Sequence, residues 1–399
     1  MTIQASTRAQ GVEYAIRDVI LKANALEKKG KKILYLNIGD PGKYDFDTPP
    51  HIKQALEKAV QDGFNYYASS NGIPELREAI AEKEKRVNGV QIDPNNILVT
   101  TGISEAILFL TGAIVNPGDE ILLPGPCYPP YIAYVKFFDG KPVTYRTIES
   151  KGWTPDVADL ESKITKRTRM IVIINPNNPC GAVYSRSDLT KILEIAASHD
   201  LPVAVDEIYD GIVYDGAFQG AASLVKDVPI IGLNGFSKTY LMTGWRLGYL
   251  YLRDYEGKLE SVWDGINRLS RVRLCASTPA QKAAVEALRG PQGHIAETVS
   301  KLRKRRDLSW KRLNEIPGLS SSKPAGTFYI FPRIDSIGKW KNDADFVTDL
   351  LNETGVLVVH GSGFDPVYGK DHFRVVFLPQ ETILAEAFDK IEEFMKKRA

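Results

Sequence analysis

From Ile97 onward the chain alternates short β-branched apolar runs with helical stretches, and most runs stop at a polar segment bearing Gly or Pro. Residues 97–100 (I-L-V-T) lead into T-G-I-S-E-A-I, 121–123 into P-G-P-C-Y-P-P-Y, and 170–174 into N-P-N-N-P-C-G. Residues 202–205 lead into D-E-I-Y and 229–233 into N-G-F-S-K-T-Y, with 247–251 as a strand leaving that segment. Continuous apolar runs of this length, spaced by helices, are the pattern of a mostly parallel α/β sheet buried on both faces. Ligands of such sheets bind outside the carboxyl ends of the strands. One pocket can therefore collect all these polar segments.

The rest of the chain is read around that sheet. An amphipathic helix is expected over 9–30, ended by Gly30, then a strand over 33–38 running into G-D-P-G. Helices follow over 50–62 and 74–87, flanking the polar loop N-Y-Y-A-S-S-N-G. Beyond the sheet a long helical stretch over 278–314 leads to a small α+β unit: a helix over 343–353, strands over 356–359 and 373–377, and a last helix over 380–397. At 399 residues about two or three domains are expected, and the boundaries are placed at 1–45, 46–290 and 291–399.

Composition excludes several function classes. Lys plus Arg of 51 against Asp plus Glu of 49 leave a charge of +2, with no bulk field for nucleic acid or membrane. Cys127, Cys180 and Cys275 are odd in number and far apart, so neither a disulfide framework nor a zinc knuckle is expected. His51, His199, His294, His360 and His372 lack metal-ligand spacing, and no metal is expected. No apolar leader or span of roughly 18 residues occurs, so a cytoplasmic location is expected.

Lys238 lies among Gly235, Ser237, Thr239, Thr243 and Gly244, residues that let a bulky ligand approach the backbone. Imine formation wants such an amine, held in a partly desolvated pocket; a plain loop lysine is the bland alternative. Asp206 ends an apolar run, and a carboxylate carried into a core needs a positive partner such as a protonated pyridine nitrogen. Tyr209, three residues on, can reach the same ligand, although an Asp cap with a core Tyr fits the string as well. Gly102, Ile103 and Ser104 stand at a strand-to-helix turn where free amides can cradle a phosphate; simple helix capping is the competing role. Ser237 and Arg246 would add a hydroxyl and a guanidinium to that phosphate. Asn178, among prolines, can donate to a phenolate, and Tyr128 can stack on a flat ring. Arg374 suits a planar carboxylate, with structural roles open for both it and Tyr128. A ring nitrogen, a phenolate, a phosphate and an aldehyde together describe pyridoxal phosphate.

With these residues in place the chain resembles fold-type I pyridoxal-phosphate enzymes, and within them the class I/II aminotransferases, over nearly its whole length from L-N-I-G-D-P to H-F-R-V-V-F-L-P. The strings Y-A-I-R, N-I-G-D-P, P-G-P-C-Y-P-P-Y, N-P-N-N-P, V-R-L-C-A-S-T-P-A-Q and V-H-G-S-G-F are similar to the archaeal and bacterial alanine aminotransferase type. The resemblance implies a large domain with a mostly parallel seven-stranded sheet, a smaller α+β domain, and an N-terminal segment folded over the site. It implies that Lys238 binds the cofactor covalently and moves the substrate proton, that Asp206 pairs with the ring nitrogen, and that Asn178 and Tyr209 hold the phenolic oxygen. Tyr128 would stack, and Gly102, Ile103, Ser104, Ser237 and Arg246 would hold the phosphate, with Tyr67 reaching it from the neighbouring subunit of a homodimer. Arg374 would take the substrate α-carboxylate under the Ile38–Gly39 backbone.

The implied reaction moves the amino group of L-alanine to 2-oxoglutarate in a ping-pong sequence, giving pyruvate and L-glutamate. Arg17 would swing in to meet the distal carboxylate while Tyr14 or Ile16 closes on alanine, and Arg273 is the rival for that carboxylate. Two positions depart from the family pattern: Gly235 replaces a usual Ser or Thr, and Cys180 a usual Thr. Competing readings are an aspartate or aromatic aminotransferase, and more distantly a β-lyase; a regulator on this fold would need a DNA-binding domain for which the N-terminus leaves no room.

Overall fold

The computed structural model describes residues 2–12 and 14–398. Its centre is an eight-stranded sheet: β1 (Ile97–Thr100), β2 (Glu120–Gly125), β3 (Lys141–Ile148), β4 (Thr154–Pro155), β5 (Thr168–Ile174), β6 (Val203–Asp206), β7 (Ile230–Gly235) and β8 (Gly248–Arg253). The spatial order is β1-β8-β7-β6-β5-β2-β3-β4. Pairings β3–β2–β5–β6–β7 are parallel, whereas β8 runs antiparallel to both β7 and β1, and β4 antiparallel to β3. The sheet is thus mostly parallel; the eighth strand beyond the seven expected is the two-residue edge β4, too short to leave an apolar run in the sequence.

Successive residues of the central strands enter cores on opposite sides of the sheet. Ile171, Ile173, Val203, Val205 and Ile230 pack into one, and Val172, Ile174, Ala204, Ile231 and Leu233 into the other. This two-sided burial is why these strands carry no polar alternation. Register sets Ile174 beside Asp206 and Asp206 beside Leu233, so the segments after β5, β6 and β7 leave the sheet at one edge.

The small unit holds a three-stranded antiparallel sheet, Tyr329–Ile330, Phe373–Val376 and Val359–His360, over helices Asp343–Thr354 and Glu381–Lys396. Phe346, Leu350, Val375, Leu384, Phe388 and Ile391 fill its core. Strand Leu34–Tyr35 pairs in parallel with Val356–Leu357, which ties the N-terminal segment to this unit.

Several element boundaries differ from expectation. The helix expected over 9–30 is two, Thr7–Gln10 and Ala15–Glu27; Gly11 closes the first short turn, and Glu13 lies outside the described residues. The stretch 278–314 is broken into Thr278–Arg289 and Gly293–Glu315 at Gly290-Pro291, because a proline cannot donate to the preceding turn. The run 33–38 forms strand only over Leu34–Tyr35; Leu36 still donates to the Leu357 carbonyl and accepts from the Val376 amide, and the chain beyond it leaves the sheet as a strap over the site described next. Residues 356–359 form two short strands rather than one, because Val356–Leu357 pairs with the N-terminal segment and Val359–His360 with Phe373–Val376.

Candidate active site

A cavity of about 610 Å³ opens at the carboxyl ends of the strands. The turns that follow β5, β6 and β7, the starts of helix α1 (Ile103–Ile114) and helix α2 (Pro129–Phe137), the N-terminal segment and the small unit all contribute to its wall. Tyr14, Arg17, Ile38, Gly39, Ile103, Ser104, Tyr128, Asn178, Asp206, Tyr209, Ser237, Lys238, Arg246 and Arg374 all line it. Gly102 stands immediately behind Ile103 as the cap of α1. Tyr67 does not line the cavity of its own chain and is 80% exposed. Arg273 is also outside the wall, paired with Glu105 at 2.5 Å and bonded to the Ser70 and Val99 carbonyls, which removes it as a reader of a distal carboxylate in this arrangement.

Lys238 sits in the turn after β7, where its Nζ donates to the Gly39 carbonyl at 2.8 Å. Burial pulls its ammonium down to about 8, helped by Arg374 and Arg246 and opposed by Asp40 and Asp206. About a tenth of the amine is then neutral at pH 7, far more than for an ordinary lysine, and an attacking amine must be neutral.

Asp206 ends β6 at 2% exposure. Its Oδ2 accepts from the Tyr131 hydroxyl at 3.0 Å and its Oδ1 from the Ile208 amide at 3.2 Å. Burial nonetheless pushes its carboxyl up to about 6, against those two donors and Lys238. A carboxylate in that position is under-compensated, and a cationic ring nitrogen beside it would complete its environment.

Arg374 is 1% exposed and makes no ion pair among the described residues. Its Nη1 donates to Asn178 Oδ1 at 2.8 Å and its Nη2 to the Asn37 carbonyl at 2.6 Å, while Nε has no acceptor. The rings of Tyr329 and Phe364 flank the guanidinium, with its Cζ 4.3 and 4.7 Å from their centroids. A buried, permanently charged group with only neutral partners calls for an anion. Because Asn178 spends its oxygen on Arg374, its amide N–H groups are left to donate elsewhere. The Tyr209 and Tyr329 hydroxyls share a bond of 2.8 Å, and burial pushes the Tyr209 phenol well above its ordinary value, so it remains a donor.

The phosphate end is built at the start of α1. Gly102 has φ +86°, and a Cβ there would fall 2.7 Å from Arg246 Nη2. Only glycine lets the guanidinium come this close to the helix start, where free amides and the helix dipole favour an anion. Among the described residues Arg246 bonds only backbone oxygens, Thr243 O at 3.0 Å and Thr101 O at 3.4 Å. At Gly235 a Cβ would meet Gly248 Cα at 2.9 Å, so the close approach of β7 and β8 explains why no hydroxyl residue stands there. Cys180 is buried, its amide bonded to Asn177 Oδ1 at 3.2 Å, with no part in the cavity wall.

Three contributors escaped the sequence reading, Tyr131, Tyr329 and Asp40, and Thr243, read there only as a small residue near Lys238, proves to be the partner of Asp40. Tyr131 was legible in principle, three residues after Tyr128 and hence on the same helical face. The Tyr14 and Tyr128 hydroxyls stand 3.3 Å apart, which links the start of helix Ala15–Glu27 to the start of α2. Among the described residues no group of three or more His, Cys, Asp or Glu side chains can hold a metal, and no helix is long and apolar enough to cross a membrane.

A family model described as aminotransferase class I and II matches residues 31–391. The alanine aminotransferase of Mycobacterium tuberculosis is 40% identical over 398 residues, covering 98% of this chain and 92% of that protein. Glutamate-pyruvate aminotransferase AlaA of Escherichia coli is 39% identical over 399 residues, covering 98% of each. A solved alanine aminotransferase from Pyrococcus furiosus superposes with a TM-score of 0.97 at 56% identity, covering 99% of this chain and 100% of that one.

Proposed function

The chain belongs to the class I and II aminotransferases, and on that premise we propose that it is a pyridoxal-phosphate-dependent alanine aminotransferase. The observation that carries this reading is the pairing, in one cavity, of a lysine amine lowered to about 8 with a buried guanidinium that lacks an anion. The relatives named for alanine or for glutamate and pyruvate supply the substrate class.

The residues present fit pyridoxal phosphate: an under-compensated carboxylate at Asp206, free amide donors at Asn178, and a glycine-backed anion site at Arg246. Bound there, the cofactor would supply an aldehyde for the amino group and a ring that draws electrons from the substrate Cα. Asp206 would face its ring nitrogen, Asn178 and Tyr209 its phenolic oxygen, and Tyr128 one face of the ring. The Gly102–Ser104 amides, Ser237 and Arg246 would hold its phosphate.

Arg374 would clamp the α-carboxylate of the amino acid in its planar fork and orient the Cα–H bond. Lys238 Nζ, the covalent attachment point, would also take and return the Cα proton, its lowered basicity suiting transfer near neutral pH. The Gly39 carbonyl over Lys238 and Tyr329 in the wall would cover the bound amino acid and limit its access to water. Arg17, exposed on the rim, would bind the second carboxylate of glutamate and 2-oxoglutarate and leave the methyl of alanine to Tyr14 and Ile16.

We further propose a homodimer in which Tyr67 reaches the partner's phosphate site; Tyr66, Val272 and Leu274, all exposed, support a protein-covered face there. The proposed working units are residues 1–45 and 291–399 around the 46–290 domain, and three free cysteines favour the cytoplasm. A panel of amino donors, each offered with 2-oxoglutarate, tests the substrate assignment. Alanine and glutamate should give the highest kcat/KM, and a preference for aspartate or aromatic donors would replace the assignment.

A further inference from the structure

Residues 37–43 form a strap across the cavity mouth that is fastened at both ends of the site. At the Arg374 end the Asn37 carbonyl accepts from Nη2 at 2.6 Å. In the middle the Gly39 carbonyl accepts from Lys238 Nζ at 2.8 Å, and Gly39 packs so tightly that a Cβ would lie 2.1 Å from the Tyr329 hydroxyl. At the Arg246 end Asp40 Oδ1 accepts from the Thr243 hydroxyl at 2.6 Å. Thr243 begins the short helical turn Thr243–Trp245 that delivers Arg246.

Asp40 is out of character for its surroundings. Among the described residues it and Asp206 are the acids of the wall, in a cavity whose cations, Arg17, Lys238, Arg246 and Arg374, suit anionic ligands. A carboxylate at the mouth opposes anion binding unless it is retained for another purpose. Its hydrogen bond supplies one, because it ties the strap over Lys238 to the turn that carries Arg246.

We propose that the Asp40–Thr243 hydrogen bond is a latch that holds the 37–43 strap closed over Lys238, and that Asp40 and Thr243 are positioning residues for the bound amino acid. The inference rests on the aminotransferase function proposed above and names two residues of that site with a role not otherwise assigned. The latch joins the end of the cavity that receives the substrate carboxylate to the end that receives a phosphate. The charges facing Lys238 Nζ fit it: Asp40 and Asp206 favour its ammonium form, while Arg374 and Arg246 oppose it.

Two readouts on the full-length chain test the latch. The first, hydrogen–deuterium exchange without added cofactor, follows the Lys43 and Tyr44 amides, which donate to Asp40 O at 3.2 Å and Pro41 O at 3.0 Å. Thr243→Val, which removes the donor, and Asp40→Ala, which removes the acceptor, should speed their exchange, and Thr243→Ser, which keeps the hydroxyl, should not. The second uses the chain reconstituted with pyridoxal phosphate. Thr243→Val and Asp40→Ala should raise KM for alanine about tenfold with kcat within about twofold, and Thr243→Ser should match the parent. Unchanged exchange in Thr243→Val overturns the latch whether or not the chain transaminates. Faster exchange with an unchanged KM overturns the positioning role. Faster exchange in Thr243→Val, when the parent chain itself does not transaminate, supports the latch and sinks the functional reading instead.

Discussion

Asp206→Asn removes a charge that the fold buries for function, so the variant should be more stable and less active than its parent. Burial raises the Asp206 carboxyl from 3.8 to about 6. The folded chain therefore holds this proton more tightly than the unfolded chain. The stabilisation is fully present below pH 4 and is lost as pH rises through 6. Above that, the buried carboxylate costs about two pKa units, or ~3 kcal/mol. Asn keeps the shape, its Oδ1 can still accept from the Ile208 amide, and Tyr131 can turn its hydroxyl to accept from Nδ2. The gain of variant over parent should grow from near zero below pH 4 to ~3 kcal/mol at pH 8, with roughly half present at pH 5. In thermal unfolding of the cofactor-free chain this is a rise of roughly 6–10 °C at pH 8 for the large domain. Transamination should fall roughly a hundredfold or more, because the ring nitrogen loses its counter-charge. Pyridoxal phosphate should stabilise the parent more than the variant. A variant no more stable than the parent at pH 8, or a difference that does not change between pH 5 and pH 8, refutes the burial argument. Full turnover in the variant refutes Asp206 as the partner of the ring nitrogen.

Other expectations follow from the same geometry. Lys238→Ala should abolish both transamination and the absorbance of the lysine–cofactor adduct, and a coloured, active variant would overturn its assignment. Cofactor uptake by the parent should accelerate with pH up to about 8 and then level off, because the amine must first lose its proton; stopped-flow absorbance reading a flat rate from pH 6 to 9 would contradict this. Arg374→Lys should raise KM for every amino and oxo acid by roughly tenfold to a hundredfold, since a point charge cannot reproduce the planar fork in steady-state assays. Arg17→Ala should raise KM for glutamate and 2-oxoglutarate and spare alanine and pyruvate; equal effects on both pairs would place Arg17 outside the distal-carboxylate site.

What could be read from the sequence divides along physical lines. Lys238, Asp206 and Asn178 stand just past or at the ends of strongly apolar runs, and strand ends in a parallel sheet meet at one edge, so local pattern sufficed to group them. Tyr329, which enters from the small unit, is separated by 120 residues from its partner Tyr209, and no local signal links them. The same holds for Asp40 and Thr243, 203 residues apart. Edge strand β4 has two residues, below the length at which alternation is visible. The break at Gly290-Pro291 was written in the chain, but the charged, periodic residues on both sides suggested one long helix.

The central claim, a transaminase whose chemistry runs through Lys238, is tested most directly by the half-reaction with alanine alone. The chain reconstituted with pyridoxal phosphate should release about one pyruvate per site and stop until 2-oxoglutarate is added, and Lys238→Ala should release none. Continued pyruvate release with ammonia in the absence of any oxo acid, or pyruvate release that survives in Lys238→Ala, would contradict the account.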